Sequence, residues 1–97
     1  MYEKTQAKRF YVTGTVQGVG FRYFAHRMAS RLGISGYVKN LRDGRLEVYA
    51  IGSPPQLESL KRELERGPRS AMISEVGEED APVQPQYASG FSIKQED

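Results

Sequence analysis

Three glycines within seven positions, Gly14, Gly18 and Gly20, separate a stretch that alternates like a strand from one that repeats like a helix. A chain that changes period there must turn sharply, and glycine reaches the positive φ angles of such a turn without steric cost. A glycine-rich turn entering a helix also points several backbone amides toward one place, which suits an anion. Arg22 falls in the first turn of that helix, where its charge opposes the positive end of the helix dipole. An external anion reconciles the two, and a planar guanidinium fits phosphate or carboxylate through two parallel hydrogen bonds. Read alone, the segment fits equally a tight turn beside a solvated arginine. Its spacing matches neither G-x-G-x-x-G nor G-x-x-x-x-G-K-[ST], so dinucleotide and P-loop readings fail.

The rest of the composition narrows the chemistry. Ninety-seven residues suit one core, so a single domain over residues 1–97 is expected, with residues 1–7 polar and ragged. There is no cysteine and one histidine, His26. Disulfides, thiolate metal sites and cysteine nucleophiles are therefore excluded and a histidine-rich metal site has little to draw on; a carboxylate-only metal site stays formally open, though the acidic residues do not suggest one. No apolar run approaches a membrane span, and the first residues lack the apolar segment of a secretory signal. A cytoplasmic chain is the expectation, and without an exposed apolar stripe, a monomer. Residues 1–45 carry nine Lys/Arg and two Asp/Glu, whereas residues 46–97 carry five and ten. The basic half holds the glycine turn. This agrees with an anionic ligand without choosing between a small anion and a nucleic-acid backbone.

Along the chain, residues 8–13 read as a strand with Phe10 and Val12 on one face. Phe21, Phe24, Ala25, Met28, Ala29 and Leu32 then mark one buried stripe of a helix closed by Gly33. His26 lies off that stripe and is expected in solvent. Residues 34–40 form a second strand, Asp43-Gly44 signals a hairpin, and residues 45–51 form a third strand burying Leu46, Val48 and Ala50. Ser53, Pro54 and Gln56 make a capping box at the start of a second helix with Leu57, Leu60 and Leu64 as its seam. Glu58–Arg62 and Lys61–Glu65 are its expected i,i+4 pairs. Gly67-Pro68 stops it. A fourth strand over residues 71–78 needs a bulge or a short run, because Ile73 and Val76 are three apart. Residues 80–90 read as loop, and Phe91 and Ile93 as a short last strand.

This βαββαβ order with a short extra C-terminal strand predicts an α+β fold. It is a ferredoxin-like α/β sandwich, a mainly antiparallel sheet covered on one face by two helices. Strands one and two then run parallel with strand three between them. Their C-terminal ends share one edge, about 10 Å apart, so the glycine turn, Arg22 and Asn40 become neighbours. Asn40 alone fits a turn-stabilising role equally well.

Two motifs carry a resemblance. Val12-Thr-Gly-Thr-Val-Gln-Gly-Val-Gly-Phe-Arg22, followed by Gly36-Tyr-Val-Lys-Asn40 with Gly44 and Gly52, resembles the two sequence patterns of the acylphosphatase family in order and separation. Leu46 stands where the family usually has valine, an apolar exchange. The resemblance implies an enzyme, independent of metal and cofactor, that hydrolyses the carboxyl–phosphate anhydride bond of acyl phosphates, releasing a carboxylate and inorganic phosphate. It implies that Arg22 and backbone amides of Gln17, Gly18, Val19, Gly20, Phe21 and Arg22 hold the phosphoryl oxygens, and that Asn40 orients the attacking water. No nucleic acid or membrane partner is implied.

Two rival classes stay in view. An RNA-binding ferredoxin-like domain would use Tyr11 and Tyr49 as exposed rings, yet residues 45–51 lack the aromatic RNA-binding pattern and place Glu47 outward. A non-catalytic module that binds acyl or carbamoyl phosphate would share the motifs without turnover.

Overall fold

The computed structural model describes residues 4–94. It contains β1 (Gln6–Thr15), α1 (Phe21–Leu32), β2 (Ser35–Asn40), β3 (Leu46–Gly52), α2 (Pro54–Arg66), β4 (Met72–Ala81) and β5 (Phe91–Ile93), with a 3-10 turn over Pro85–Tyr87. The sheet order is β4-β1-β3-β2-β5. β2 and β5 pair in parallel, and the other neighbours are antiparallel. Part of the ragged start expected over residues 1–7 lies outside the described residues; Gln6 and Ala7 open β1, with Ala7 buried.

Both helices pack on one face of the sheet. Phe10, Val12, Val38, Leu46, Val48 and Ala50 from the strands meet Phe21, Phe24, Ala25, Met28 and Ala29 of α1 and Leu57, Leu60 and Leu64 of α2. Each of these side chains larger than alanine contributes on the order of 1.5–3 kcal/mol by leaving water. The strand-to-helix stretch is thereby pinned at its end, since Val16 and Phe21 are each 1% exposed.

Three expectations about surroundings need correction. β3 is buried on both faces, and Tyr49, expected as an exposed ring, is fully enclosed. Residues 82–87 fold back across the second face to cover it. The Tyr49 hydroxyl donates to the Pro82 carbonyl at 2.6 Å and accepts from the Gln84 amide at 2.8 Å. Tyr37 stacks on its ring at 5.3 Å, and Tyr87 meets it edge-on at 5.7 Å. Glu47 faces outward as expected but is buried, accepting from the Tyr37 hydroxyl at 2.5 Å. Tyr11 is half-buried, with the Arg45 guanidinium 4.8 Å from its ring centre.

Secondly, Lys61 turns to Glu78 of β4 at 2.8 Å instead of reaching Glu65, because α2 lies over the β1–β4 side. The Glu58–Arg62 pair is present at 3.6 Å. Thirdly, His26 is half-buried, its ring centre 6.1 Å from that of Phe91.

β4 runs to Ala81 and contains the bulge its sequence requires. Thr13 pairs with Glu75 and Gly14 with Ile73, so Ser74 is passed over. Ile73 and Val76 thereby both face the helix side. Among the described residues no helix is long and apolar enough to cross a membrane.

Candidate active site

The sheet register brings the two motifs together. Val12 and Asn40 both pair with Leu46, from opposite sides of β3. The chain leaving β1 and the last residue of β2 therefore stand in one row, two strand spacings apart, about 10 Å. The chain after β1 then folds over this edge. Gly18 and Gly20 adopt left-handed φ angles of 76° and 77°, a conformation that costs an L-residue about 1–2 kcal/mol.

Side chains from outside hold the loop in place. The Gln17 side-chain amide donates to the Leu41 carbonyl at 2.8 Å and the Arg45 carbonyl at 3.0 Å, tying the loop to the β2–β3 hairpin. On the other flank the Ser70 hydroxyl donates to the Val19 carbonyl at 3.3 Å. The hairpin is itself closed by the Leu41 amide donating to Arg45 and the Gly44 amide donating to Leu41. Asn40, the residue before Leu41, is thus set against the loop through Gln17.

The result is a cavity of about 90 Å³ lined by Val16, Gly18, Gly20, Phe21, Arg22, Tyr23 and Asn40. That is roughly the share of liquid taken by three waters, the scale of a small oxyanion. Of the residues singled out in the sequence, Gly18, Gly20, Phe21, Arg22 and Asn40 meet in this lining. Gln17 and Val19 stand in the loop but not in the lining; one reaches to the hairpin and the other packs against the core.

The polar groups of the site are left open by the protein. α1 begins at Gly20 with no side-chain cap and no acidic residue in its first turn. Residues 17–20 form a turn that delivers the chain to this uncapped helix start. No carboxylate among the described residues pairs with Arg22. The Asn40 Oδ1 atom is buried and likewise has no hydrogen-bond partner among them. Buried oxygens and helix-start amides are ordinarily satisfied. Here a cation, a set of donors and a lone acceptor converge on one small space.

A larger cavity of about 310 Å³ lies between β1 and α2, but its charged groups are used up. Lys8 and Lys61 each approach Glu78 at 2.8 Å. That leaves no free donor set comparable to the loop.

Sequence reasoning missed the Gln17 side chain, whose partners lie 24 and 28 residues away. It also missed Tyr23. The only available signal was its position immediately after Arg22.

Fold and site together define a ferredoxin-like sandwich with a small cavity between a glycine-rich loop and Asn40 at one edge of its sheet. The chain belongs to the acylphosphatase family, enzymes that hydrolyse acyl phosphates: the model of that family, described as Acylphosphatase, matches residues 8–93. It is 49% identical over 79 residues to an acylphosphatase of Solibacter usitatus, spanning 81% of this chain and 82% of that one. An acylphosphatase of Bifidobacterium longum is 44% identical over 88 residues, 91% of each chain. A solved acylphosphatase structure from Coxiella burnetii superposes with a TM-score of 0.86 at 33% identity, covering 93% of each chain.

Proposed function

We propose that this chain hydrolyses acyl phosphates by direct attack of a water, oriented by Asn40, on a phosphoryl group held by Arg22 and the amides of residues 17–22. The observation that carries the reading is the convergence on one cavity of an uncapped helix start, the Arg22 side chain and the unpartnered Asn40 Oδ1. The amides and the guanidinium are donors, matched to the phosphoryl oxygens. The buried Asn40 Oδ1 is an acceptor. It cannot bond to another acceptor oxygen, but it can receive a hydrogen from water.

The water oxygen forms a bond to phosphorus as the bond from phosphorus to the carboxylate oxygen breaks. The carboxylate leaves with the bonding pair and needs no acid to protonate it. The proton of the attacking water passes to a phosphoryl oxygen, so no side-chain base is required. A loose transition state of this kind asks mainly for positioning and for neutralisation of spread charge. A cationic fork, a ring of amides and one amide side chain supply both.

Benzoyl phosphate hydrolysis in the presence of a chelator tests the reading, and turnover is expected to persist. Asn40→Ala separates the roles. Turnover is expected to fall about a hundredfold or more while inhibition by inorganic phosphate changes little. An equal collapse of phosphate inhibition would make Asn40 a phosphate-binding residue and remove its role toward water.

A further inference from the structure

The reaction leaves the acyl half of the substrate without a place. A cavity of about 90 Å³ holds a tetrahedral phosphoryl group and little else, so the acyl group must lie across its rim. That rim is uneven. On one side Gly18 and Gly20 carry no side chain, and a Cβ built on either meets no heavy atom within 4 Å. On the other side stands Tyr23, next to Arg22 in the first turn of α1.

Tyr23 is unlike the other described tyrosines. Tyr37, Tyr49 and Tyr87 pack on one another, and Tyr11 is engaged by Glu79 and Arg45. Tyr23 has neither a hydrogen-bond partner nor an aromatic or cationic neighbour among the described residues. Its side chain is 68% exposed, yet it contributes to the wall of the cavity. With Met72 and Val83 it is one of three large apolar side chains left exposed among those residues, and of the three it is the one at the cavity. A ring that open contributes little to folding. Its flat apolar face borders a route by which a substrate bound through its phosphoryl group can extend.

We infer that Tyr23 is a specificity-determining residue that forms the acyl-side wall of the site and favours acyl phosphates with a flat, apolar acyl group over short ones. The inference rests on the phosphoryl group occupying the Arg22–Asn40 cavity. The ring of an aroyl phosphate lies offset against the Tyr23 ring, whereas a methyl group covers little of it. Such an aromatic pair in a half-wet site corresponds to roughly a threefold to tenfold preference.

Two measurements test this and keep it apart from the catalytic reading. The first is the ratio of kcat/KM for benzoyl phosphate to that for acetyl phosphate in the wild type, Tyr23→Phe and Tyr23→Ala. The ratio is expected to fall threefold to tenfold in Tyr23→Ala and to be kept in Tyr23→Phe, since the ring and not the hydroxyl makes the wall. An unchanged ratio in Tyr23→Ala overturns the inference. The second compares binding of phenylphosphonate and methylphosphonate, which needs no turnover. The wild type is expected to favour the phenyl compound and Tyr23→Ala to lose that preference. Equal affinities in the wild type overturn the acyl-side assignment even where hydrolysis proceeds. A Tyr23-dependent preference without hydrolysis sustains it and sinks the catalytic reading instead.

Discussion

At the start of α2 the Gln56 amide donates to the Ser53 hydroxyl at 3.4 Å and the Ser53 amide donates to the Gln56 side chain at 2.8 Å, whereas α1 starts at Gly20 with no cap at all. Both helices follow a strand, both have about three turns, and both bury one apolar stripe on the same face of the sheet. The orphan amides of a helix start have to be met by something. α2 meets them with its own side chains, and Pro54 removes one of them altogether. α1 starts beside a small cavity, adds the charge of Arg22, and has no acidic residue in its first turn. One start is closed by its own side chains, and the other is left uncapped beside a cavity. The contrast marks the α1 start as the candidate site without reference to any relative.

The strongest way to break this comparison is Arg22→Lys. The charge stays, but an ammonium cannot make the paired contact that a guanidinium makes with a phosphoryl group. A loss of about a hundredfold or more in kcat/KM on benzoyl phosphate is expected, on the order of 3 kcal/mol. Stability should be nearly unchanged, since no carboxylate among the described residues pairs with Arg22. Near-wild-type turnover would mean that the open helix start is not where the phosphoryl group sits.

Gln17→Ala is expected to have a smaller effect, of a mixed kind. Its side chain holds the loop to the hairpin that follows Asn40. Removing it takes one of two donors from each of two carbonyls that keep their hairpin amide, about 1 kcal/mol of stability. It also loosens the spacing between Arg22 and Asn40. Steady-state kinetics should show kcat reduced roughly tenfold together with weaker phosphate inhibition, because small misplacements of reacting groups are costly. Unfolding in urea should show the stability loss. A variant that lost stability alone would show that the loop keeps its geometry without the hairpin.

The parts of this molecule that could be read from sequence rest on local rules. The stripe of α1, the capping box at Ser53 and the bulge near Ile73 each follow from spacing within a few residues. The meeting of Arg22 with Asn40 needed one further step, the parallel direction of β1 and β2 implied by the element order. What escaped were contacts chosen by the third dimension. Periodicity assigns Tyr49 to the face away from the helices but says nothing about what covers that face; residues 82–87, more than thirty positions on, do so. Lys61 had a local partner in Glu65 and took Glu78 from β4 instead. The same blindness hid the Gln17 side chain, whose neighbours in sequence give no hint of the hairpin. For the site, a motif marks which residues matter but not which of them act through their side chains.

The other half of the comparison is sharpened by Ser53→Ala. This removes the cap of α2 without touching the cavity, and a loss of about 1 kcal/mol is expected. For a chain of this size that is a fall in Tm of several degrees. Turnover of benzoyl phosphate at a temperature well below the transition should be unchanged. A drop in kcat there would couple the two helix starts, against the division of labour drawn above.

The smallest effect concerns the charges beside α2. Glu78 accepts from both Lys8 and Lys61, and these hydrogen bonds, with Lys61's the larger influence, hold its carboxyl below the usual carboxylate range. A carboxyl group with a folded pKa below its unfolded one stabilises the fold fully above the unfolded value. That contribution is lost as pH falls through the folded pKa. The group is about one-third exposed, so solvent screening limits the contribution to a few tenths of a kcal/mol. Glu78→Gln should therefore be slightly less stable than the wild type at pH 7, and the gap should close as pH is lowered past the carboxylate range toward about 3. Urea unfolding of both proteins at the two pH values, at low salt, is the measurement. A gap that persisted at low pH would assign the difference to side-chain packing over the β1–α2 cavity and not to the ion pairs. Because Lys8, Lys61 and Glu78 line the β1–α2 cavity and not the one at Arg22 and Asn40, the same variant should leave phosphate inhibition at the α1 end untouched: the unpaired Arg22 is what distinguishes the open helix start from the closed one.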